Sequence, residues 1–270
     1  MKSSTTAIIV SYKSKWIIEN CIKSIDSNTR IIVVENSNDY KLKKTLEKKY
    51  SNLKVIINSN NGFGNAANVG ALKAKTKYLL FLGPDTVLEN KAINNITKVA
   101  ESFDNSFGAI LPSDFNKKVK IISEIRKSRG AALIFIKKDI FLKVGLFDEN
   151  FFLYYEDNDL LERLLKKKQK IYEVPIQFKH LYGSHDKKYN EPIEINRHWH
   201  YMWSKFYFYN KKKNYIFAIL HTLPILIRCF FRLSINYFFN KKKYLIYKAR
   251  FEGLINSYSN KKSWHRPKIN

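Results

Sequence analysis

The sequence is poor in cysteine. It contains two cysteines among 270 residues, Cys21 and Cys229, and they lie far apart in the chain. Two thiols so placed have neither the spacing of a metal-binding motif nor the number needed for a disulfide framework, and they indicate a reducing compartment. There is no internal repeat, and the hydrophobic content of 45% argues against disorder. We therefore expect a cytoplasmic protein with one large folded domain, or with one domain and an appendage.

Acidic residues are also few. The sequence has 23 Asp and Glu residues against 49 Lys and Arg residues, which gives a formal net charge of +26. Residues 196–270 contain sixteen Lys and Arg residues and a single acid, Glu252. Such a charge favours phosphates, anionic lipid headgroups or nucleic acid as partners. The base composition of the genome, which also enriches Asn and Ile, is a second explanation for part of the excess.

Short apolar runs alternate with amphipathic segments up to residue 174. Strands are predicted at residues 6–12, 30–35, 53–57, 78–82, 107–112, 130–136 and 171–174. Helices are predicted at residues 15–25, 40–50, 66–75, 90–103, 138–144 and 157–167. This alternation, at intervals of roughly 20 to 25 residues, is typical of an α/β fold with a mostly parallel, doubly wound sheet. The composition changes after residue 194, which predicts a domain at 1–195 and a helical, basic region at 196–270.

Polar residues follow several of these strands, at the edge where open α/β sheets bind ligands. Ser11 and Tyr12 offer a hydroxyl and a ring face, and Glu35 can accept hydrogen bonds from a base or a ribose. Residues 60–70 form a Gly- and Asn-rich turn that opens into a helix, which suits a diphosphate. This turn has neither the glycine spacing of dinucleotide-binding folds nor the Gly-Lys-Ser/Thr of a P-loop.

The fourth strand ends at Gly83-Pro84, and Asp85 follows directly. A carboxylate at this point can hold Mg²⁺ or Mn²⁺, and such a cation neutralises a departing diphosphate. The alternative is a turn in which Asp85 caps the next helix. His180 lies a few residues after the last predicted strand; a lone histidine is more often structural, and as a ligand it favours Mn²⁺.

Three carboxylates, Glu156, Asp157 and Asp159, stand at the start of a predicted helix. Carboxylates here are favoured by the helix dipole, so helix capping explains them without any function. In a functional interpretation, one of them takes a proton from an attacking hydroxyl. Asp159 and Arg163 are four residues apart, so a surface ion pair is sufficient to explain them.

The C-terminal region combines aromatic, apolar and basic segments. Residues 197–210 are rich in aromatic side chains, and residues 214–239 are mostly apolar and flanked by two Lys triplets. The apolar segment is long enough to span a bilayer, but Arg228 and Arg232 would each cost about 2.5 to 3.5 kcal/mol at its centre. We therefore expect a helix or a helical hairpin in the interface of an anionic membrane. The alternative is a helical subdomain packed on the main domain.

The motifs together resemble one known family, over about residues 5 to 200. The chain resembles family-2 glycosyltransferases with the GT-A fold, a Rossmann-like sheet flanked by helices, and in particular their rhamnosyltransferase-like branch. The matching stretches, in the same order as in the family, are Ile-Ile-Val-Ser-Tyr (8–12), Val-Val-Glu-Asn-Ser (33–37), residues 60–70, Leu-Phe-Leu-Gly-Pro-Asp-Thr (80–86), residues 144–160 and His-Leu-Tyr-Gly-Ser (180–184).

The resemblance implies an inverting transfer of a sugar from a nucleotide-diphosphate donor. It implies Asp157 as the catalytic base, with Glu156 beside it holding the acceptor. Asp85 corresponds to the last Asp of the metal motif, and His180 to a later metal ligand found in some relatives. The residues that the resemblance places along the nucleotide sugar are Ser11, Tyr12, Glu35, Asn61, Gly62, Asn68, Pro84 and Asp85.

The sequence departs from the family pattern at three positions. Gly83 occupies the first position of the metal motif and cannot ligate a metal, which gives His180 more weight. Glu35 stands where Asp is usual, so the longer side chain can shift the nucleotide pocket. Ala67 replaces a residue that is polar in many relatives. None of these departures removes the expected base.

The leading hypothesis is a glycosyltransferase that is peripheral on the inner face of the plasma membrane. The branch suggests dTDP-L-rhamnose as donor and a lipid-linked surface polysaccharide or O-antigen precursor as acceptor. A nucleic-acid or anionic-polymer binding protein that uses the basic C-terminal region is the alternative from another class; no nucleic-acid motif supports it, and we expect no nucleic acid as partner. A nucleotidyltransferase would normally carry a Gly-rich, basic loop after the first strand, and residues 11–15 do not provide one.

Overall fold

The computed structural model describes residues 3–103, 107–115, 119–181 and 190–266. The chain divides into two compact units. The first, called the sheet unit, comprises Met1–Asp148 and Asp157–Asp186. The second, called the helical unit, comprises Glu149–Glu156 and Lys187–Asn270.

The sheet unit is built on one mixed sheet. Along the sheet the strands follow the order β3-β2-β1-β4-β8-β6-β9-β5, and β7 pairs with β9. β1 to β4, β6 and β9 run parallel to one another, whereas β5, β7 and β8 run antiparallel to their neighbours. The strands are β1 (Thr5–Ser11), β2 (Arg30–Glu35), β3 (Leu53–Ile57), β4 (Tyr78–Leu82), β5 (Thr86–Leu88), β6 (Phe107–Asp114), β7 (Ser123–Glu124), β8 (Ile134–Lys137) and β9 (Lys170–His180).

Helices cover both faces of this sheet. The apolar residues of α1, α2 and α4 pack on one face, and those of α3, α5 and α6 pack on the other. A central strand such as β4 is therefore buried on both faces, which explains why it is a continuous apolar run rather than an alternating one. The helices are α1 (Ile18–Ser24), α2 (Tyr40–Lys49), α3 (Phe63–Lys73), α4 (Ala92–Ser102), α5 (Lys138–Lys143) and α6 (Glu156–Lys166).

The predicted α/β class and the mostly parallel sheet are confirmed. The strands predicted at 30–35, 53–57 and 78–82 have the bounds of β2, β3 and β4. Four strands differ: β1 lies at 5–11 instead of 6–12, β6 extends to residue 114 instead of 112, β8 is shorter than the predicted segment 130–136, and β9 extends to residue 180 instead of ending at 174. The sequence prediction missed β5 altogether, because three residues after a proline do not make an apolar run.

The helical unit consists of three long helices. They are α7 (Asn190–Lys212), α8 (Tyr215–Phe239) and α9 (Lys241–Tyr258). The predicted helical extension is thus present, and α8 is one continuous helix with Pro224 inside it. The turns between the helices are set by two asparagines: the side chain of Asn214 accepts from the Phe217 N–H at 2.8 Å, and that of Asn240 accepts from the Lys243 N–H at 2.9 Å. Asparagine is a favoured N-cap residue, so both helix starts are encoded locally.

The surface of α8 is apolar on its outer side. Its buried residues are small or polar: Ala218, Thr222, Cys229 and Asn236. The opposite side carries large exposed side chains: Ile216, Leu220, Leu223, Ile227, Phe230, Phe231 and Phe238. By length and composition, α8 is long and apolar enough to cross a membrane. Its most apolar 18-residue segment has a mean hydropathy of 1.7, and 17% of that segment is buried. Within the helical unit, α8 therefore turns its apolar side away from the helices that it packs against, the reverse of a helix on a soluble core.

Gly253 lets α9 approach α7 closely. A Cβ atom at this position would lie 2.3 Å from the carbonyl oxygen of Trp199, which is backbone and cannot move aside like a flexible side chain. Trp199 is itself fully buried, so the contact lies in the core of the helical unit. The close packing of the two helices therefore requires glycine at position 253.

We expect Gly253→Ala to destabilise the protein. In an unhindered helix this change stabilises by about 1 kcal/mol, whereas overpacking a closely packed contact costs about 1–3 kcal/mol. Urea unfolding of the variant is the measurement, with Lys248→Ala on the exposed side of the same helix as control. A Gly253→Ala variant as stable as the wild type or more stable would contradict this close approach.

Candidate active site

The ends of β1 and β2 are held by their own loops. Ser11 pairs with Glu35 in the parallel register, and its hydroxyl lies 2.7 Å from that of Ser14. The buried carboxylate of Glu35 accepts hydrogen bonds from the Ser37 N–H and hydroxyl, at 2.7 and 2.6 Å, and from the Asp39 N–H at 3.1 Å. Glu35 thus fixes the loop after β2, and a contact with a ribose stays a prediction. Tyr12 follows β1 and is half-buried.

The Asn- and Gly-rich segment leads into α3 as expected, three residues earlier than predicted. Gly62 precedes the helix with a φ of 104°, a conformation that favours glycine, and Asn61 is exposed beside it. Asn68 is buried. Its side-chain NH2 group donates to the Phe147 carbonyl, and its side-chain oxygen accepts from the Phe147 N–H, both with N···O distances of 3.0 Å. Asn68 therefore ties α3 to the segment after α5, and its contact with a nucleotide stays a prediction.

Asp85 is followed by a strand and not by a helix, so the helix-capping alternative does not hold. β5 begins at Thr86 and pairs with the end of β9, where Thr86 stands opposite His180. The backbone carbonyl of Asp85 accepts from the Leu181 N–H at 2.8 Å. This pairing brings the His180 Nε2 atom to 3.4 Å from the Asp85 Oδ1 atom. The two residues that the sequence proposed for a metal therefore lie in contact, although His180 ends a strand instead of following one.

The turn between β4 and β5 has little free space. Pro84 and Asp85 are both buried, and a Cβ atom added at Gly83 would lie 2.9 Å from the Asp85 Oδ1 atom. The thiol of Cys21 donates to the Gly83 carbonyl with an S···O distance of 3.6 Å. Burial raises the pKa of this thiol, and the Asp85 carboxylate raises it further. Glycine at position 83 thus allows Asp85 its observed position.

Asp157 lies in the first turn of α6, and its carboxylate has backbone donors. One oxygen accepts from the Ala131 N–H at 2.6 Å, and the other accepts from the backbone and side-chain nitrogens of Asn158 at 2.7 and 3.2 Å. Burial raises the pKa of Asp157, and these hydrogen bonds offset part of the rise. A carboxyl group with a raised pKa is a better proton acceptor than an ordinary aspartate.

The two residues before Glu156 have an unusual backbone conformation. Tyr154 and Tyr155 have φ values of 69° and 68°, which bulky residues rarely adopt. α7 holds this turn: the hydroxyl of Ser204 donates to the Leu153 carbonyl at 2.9 Å, and the ring of Tyr201 contacts both tyrosine rings at centroid distances of 5.6 and 5.7 Å. The sequence gave no signal for the strained turn or for its partners on α7.

Arg163 makes further contacts besides its ion pair with Asp159. Its Nε atom donates to Asp159 at 2.8 Å, and the guanidinium also donates to the carbonyls of Val144 and Leu146. Both side chains of the pair are largely buried, with exposed fractions of 20% and 5%. The interpretation as a surface pair was wrong, because i,i+4 spacing does not show what packs over the pair. Arg163 instead fastens α6 to the turn that follows α5.

The chain matches the family model described as "Glycosyl transferase family 2" over residues 6–148, more than half of its length. It is 25% identical over 223 residues to the rhamnosyltransferase WbbL of Escherichia coli (strain K12), which covers 67% of this chain and 84% of that protein. It is 20% identical over 228 residues to the low-salt glycan biosynthesis hexosyltransferase Agl10 of Haloferax volcanii, covering 73% of this chain and 70% of that protein.

Two solved structures share the fold. The mannosyltransferase PcManGT from Pyrobaculum calidifontis, in complex with GDP-Man and Mn²⁺, aligns with a TM-score of 0.61 at 12% identity, over 97% of this chain and 89% of its own. GalNAc-T7 with UDP, GalNAc and Mn²⁺ aligns with a TM-score of 0.55 at 18% identity, over 76% of this chain and 50% of its own. With the α/β sheet, the Asp85 turn and the family match together, the chain belongs to glycosyltransferase family 2 and is a glycosyltransferase of the GT-A fold.

Proposed function

We propose that the protein is an inverting glycosyltransferase that takes a sugar from a nucleotide-diphosphate donor and adds it to a hydroxyl of a lipid-linked surface polysaccharide or O-antigen precursor. The proposed sugar is L-rhamnose from dTDP-L-rhamnose, which the similarity to a rhamnosyltransferase supports. The observation that carries the proposal is the contact between Asp85 and His180 at the end of the central strand.

The residues at this point fit a divalent cation. A buried carboxylate oxygen and an imidazole nitrogen 3.4 Å apart can bind one ion together, and this pair of ligand types suits Mn²⁺, with Mg²⁺ as the second choice. The cation would neutralise the diphosphate as it leaves. Both residues sit on backbone that the sheet holds in place, as a ligand pair requires.

Asp157 is the proposed catalytic base. Its carboxylate would accept the proton of the acceptor hydroxyl while that oxygen attacks the anomeric carbon, and Glu156 would hold the acceptor beside it. The hydrogen bonds from Ala131 and Asn158 fix the orientation of the carboxylate before the acceptor arrives. The raised pKa of Asp157 supports the role, because it brings the proton affinity of the group closer to neutral pH.

The helical unit supports association with an anionic membrane surface. The exposed apolar side of α8 is flanked by Lys211–Lys213 and Lys241–Lys243, a pattern that suits burial in the interface with Lys on the headgroups. The buried side of α8 packs on α9, which carries Lys248, Arg250 and Glu252. If α8 spanned the bilayer, these charges would enter the membrane as well, so the interface position is favoured.

The same unit argues against nucleic acid as the partner. Base stacking needs exposed rings, whereas Trp199, Trp203 and Phe206 are at most 3% exposed. The buried aromatic side chains of residues 197–210 therefore belong to the core of the helical unit. The exposed rings lie mainly on α8, on the side proposed to meet lipid.

We expect Asp157→Asn to lower turnover by about 10²- to 10⁴-fold, the usual contribution of a general base, with little change in donor affinity. The measurement is kcat with a nucleotide sugar, beside donor binding by thermal shift. Asp139→Asn, an exposed carboxylate on α5, is the matched control. Near-normal turnover of Asp157→Asn would contradict the assigned role.

The stability of the same variant relative to the wild type should rise with pH. Because the folded state raises the pKa of Asp157, it binds the proton more tightly than the unfolded chain does, and wild-type stability falls as pH rises through the folded pKa. Asparagine does not titrate, but its NH2 group replaces an oxygen that accepts from Ala131 or Asn158, so a constant loss accompanies the pH-dependent gain. Urea unfolding from pH 3.5 to 7.5 tests this; a stability difference between the two proteins that does not change with pH would contradict it.

We expect the apolar side of α8 to control membrane binding. Replacing Ile216, Leu220 and Ile227 by serine should weaken binding to vesicles of phosphatidylglycerol and phosphatidylethanolamine by at least about tenfold, since each side chain contributes up to roughly 1.5–3 kcal/mol when buried. Flotation is the measurement, and Leu72→Ser with Ile121→Ser, two exposed apolar residues of the sheet unit, is the control. Equal flotation of both variants, or binding to no vesicle, would refute the proposed surface.

A further inference from the structure

The proposed metal site has an unusual set of ligands. Within the ranges that the structure describes, no three His, Cys, Asp or Glu side chains gather around a common point, and the two candidate ligands in contact there are Asp85 and His180. Gly83 adds no side chain at the position where the family motif starts. The close approach of Asp85 Oδ1, 2.9 Å from a Cβ placed at Gly83, also shows that a carboxylate side chain could not be accommodated there without displacing Asp85.

The hydroxyl of Thr86 lies in this same turn and is buried. Thr86 is 1% exposed, and its Oγ1 atom has no hydrogen-bond partner among the residues that the structure describes. Buried hydroxyl groups are nearly always bonded, so one that lacks a protein partner points to a bound water or ion. Because Thr86 begins β5, its backbone is held by β9 and its side chain has a fixed direction.

Three potential ligands lie around the turn between β4 and β5. The point where a Gly83 Cβ would stand lies 2.9 Å from Asp85 Oδ1 and 3.9 Å from Thr86 Oγ1. His180 Nε2 lies 3.4 Å from the same Oδ1 atom. Thr86 and His180 are direct partners in the antiparallel ladder, so their side chains project from the same face of the sheet as neighbours.

The neighbouring thiol is not a competing ligand. Cys21 donates its proton to the Gly83 carbonyl, and burial raises the pKa of the thiol, so the thiolate that would bind a metal is disfavoured. A hydroxyl oxygen is a hard ligand and binds Mg²⁺ or Mn²⁺ in other phosphate sites. A hydroxyl in place of a second carboxylate lowers the negative charge of the site by one.

We propose that the Thr86 hydroxyl is a third protein ligand of the divalent cation, and that it fills the place in the ligand set that Gly83 leaves empty. This inference rests on the proposed function, because it assumes the cation at Asp85 and His180. Asp85, Thr86 and His180 contribute one negative charge between them, so we expect the nucleotide diphosphate to supply further oxygen ligands and charge. Cation and nucleotide therefore bind together.

The test compares Thr86→Val, which keeps the shape and removes the hydroxyl, with Thr86→Ser, which keeps the hydroxyl. Mn²⁺ binding is measured on the full chain by electron paramagnetic resonance, with Mn²⁺ alone and with Mn²⁺ and dTDP. Melting temperatures are recorded in EDTA. We expect Thr86→Val to melt in EDTA at or above the wild-type temperature, because a buried hydroxyl without a partner is removed, and to weaken Mn²⁺ binding with dTDP by about tenfold or more. Thr86→Ser should retain Mn²⁺ affinity near that of the wild type.

Two results would overturn the inference. The first is wild-type Mn²⁺ affinity in Thr86→Val, which would leave the hydroxyl bonded to water alone. The second is that Thr86→Val and Thr86→Ser both melt below the wild type in EDTA and both bind Mn²⁺ weakly. Thr86 would then have a structural role and would not be a ligand. Asp85→Ala separates this failure from that of the proposed function: if Asp85→Ala abolishes Mn²⁺ binding while Thr86→Val does not, only the inference on Thr86 fails. If Asp85→Ala binds Mn²⁺ like the wild type, or the wild type binds none, the metal site itself is wrong.

Discussion

The antiparallel pairing of β5 with β9 is the constraint on which the candidate site depends. β5 has three residues, too few to be stable without a partner strand, and its pairing with β9 fixes both the chain after Gly83 and the side chain of His180. β9 is held in turn by β6, with a register shift between Pro112 and Ser113. Asp85 and His180 are remote in the chain, so their contact persists only while this part of the sheet is formed. A site built on sheet backbone keeps its ligands in place better than one built on loops.

The sequence was informative where structure is encoded locally and silent where it is set by pairing. Residues 78–82 are a continuous apolar run, so β4 could be predicted with its bounds. β5 could not, because a strand of three residues is defined by its partner, and that partner follows about 90 residues later. The same limit applies to the site. The residue types of Asp85 and Asp157 indicated chemistry, but the hydrogen bond from Ala131 and the contact with His180 arise from folding.

The strained turn at Tyr154 and Tyr155 comes directly before Glu156, which is proposed to hold the acceptor. Two consecutive bulky residues with positive φ each carry a backbone cost of order 1–3 kcal/mol, and such a turn persists only when its surroundings hold it. Ser204 and Tyr201 of α7 provide that support within the helical unit. Glu156 follows the turn directly in the chain, so its backbone direction is set by the strained conformation. Within the helical unit, α7 therefore supports the backbone that leads to Glu156.

The sheet unit and α8 place their large apolar residues differently because their surroundings differ. The strands of the sheet unit are buried on both faces and need uninterrupted apolar residues, whereas α8 buries small and polar residues and exposes large apolar ones. Exposed apolar area on this scale is unfavourable in water and becomes favourable when a lipid interface covers it. The basic charge of this region is also unfavourable in isolation. Residues 196–270 contain sixteen Lys and Arg residues and one acid, and these positive charges repel one another unless an anionic surface neutralises them. The proposed membrane surface would remove both the hydrophobic and the electrostatic imbalance, whereas a polymer that satisfies the charge alone would leave the apolar side of α8 uncovered.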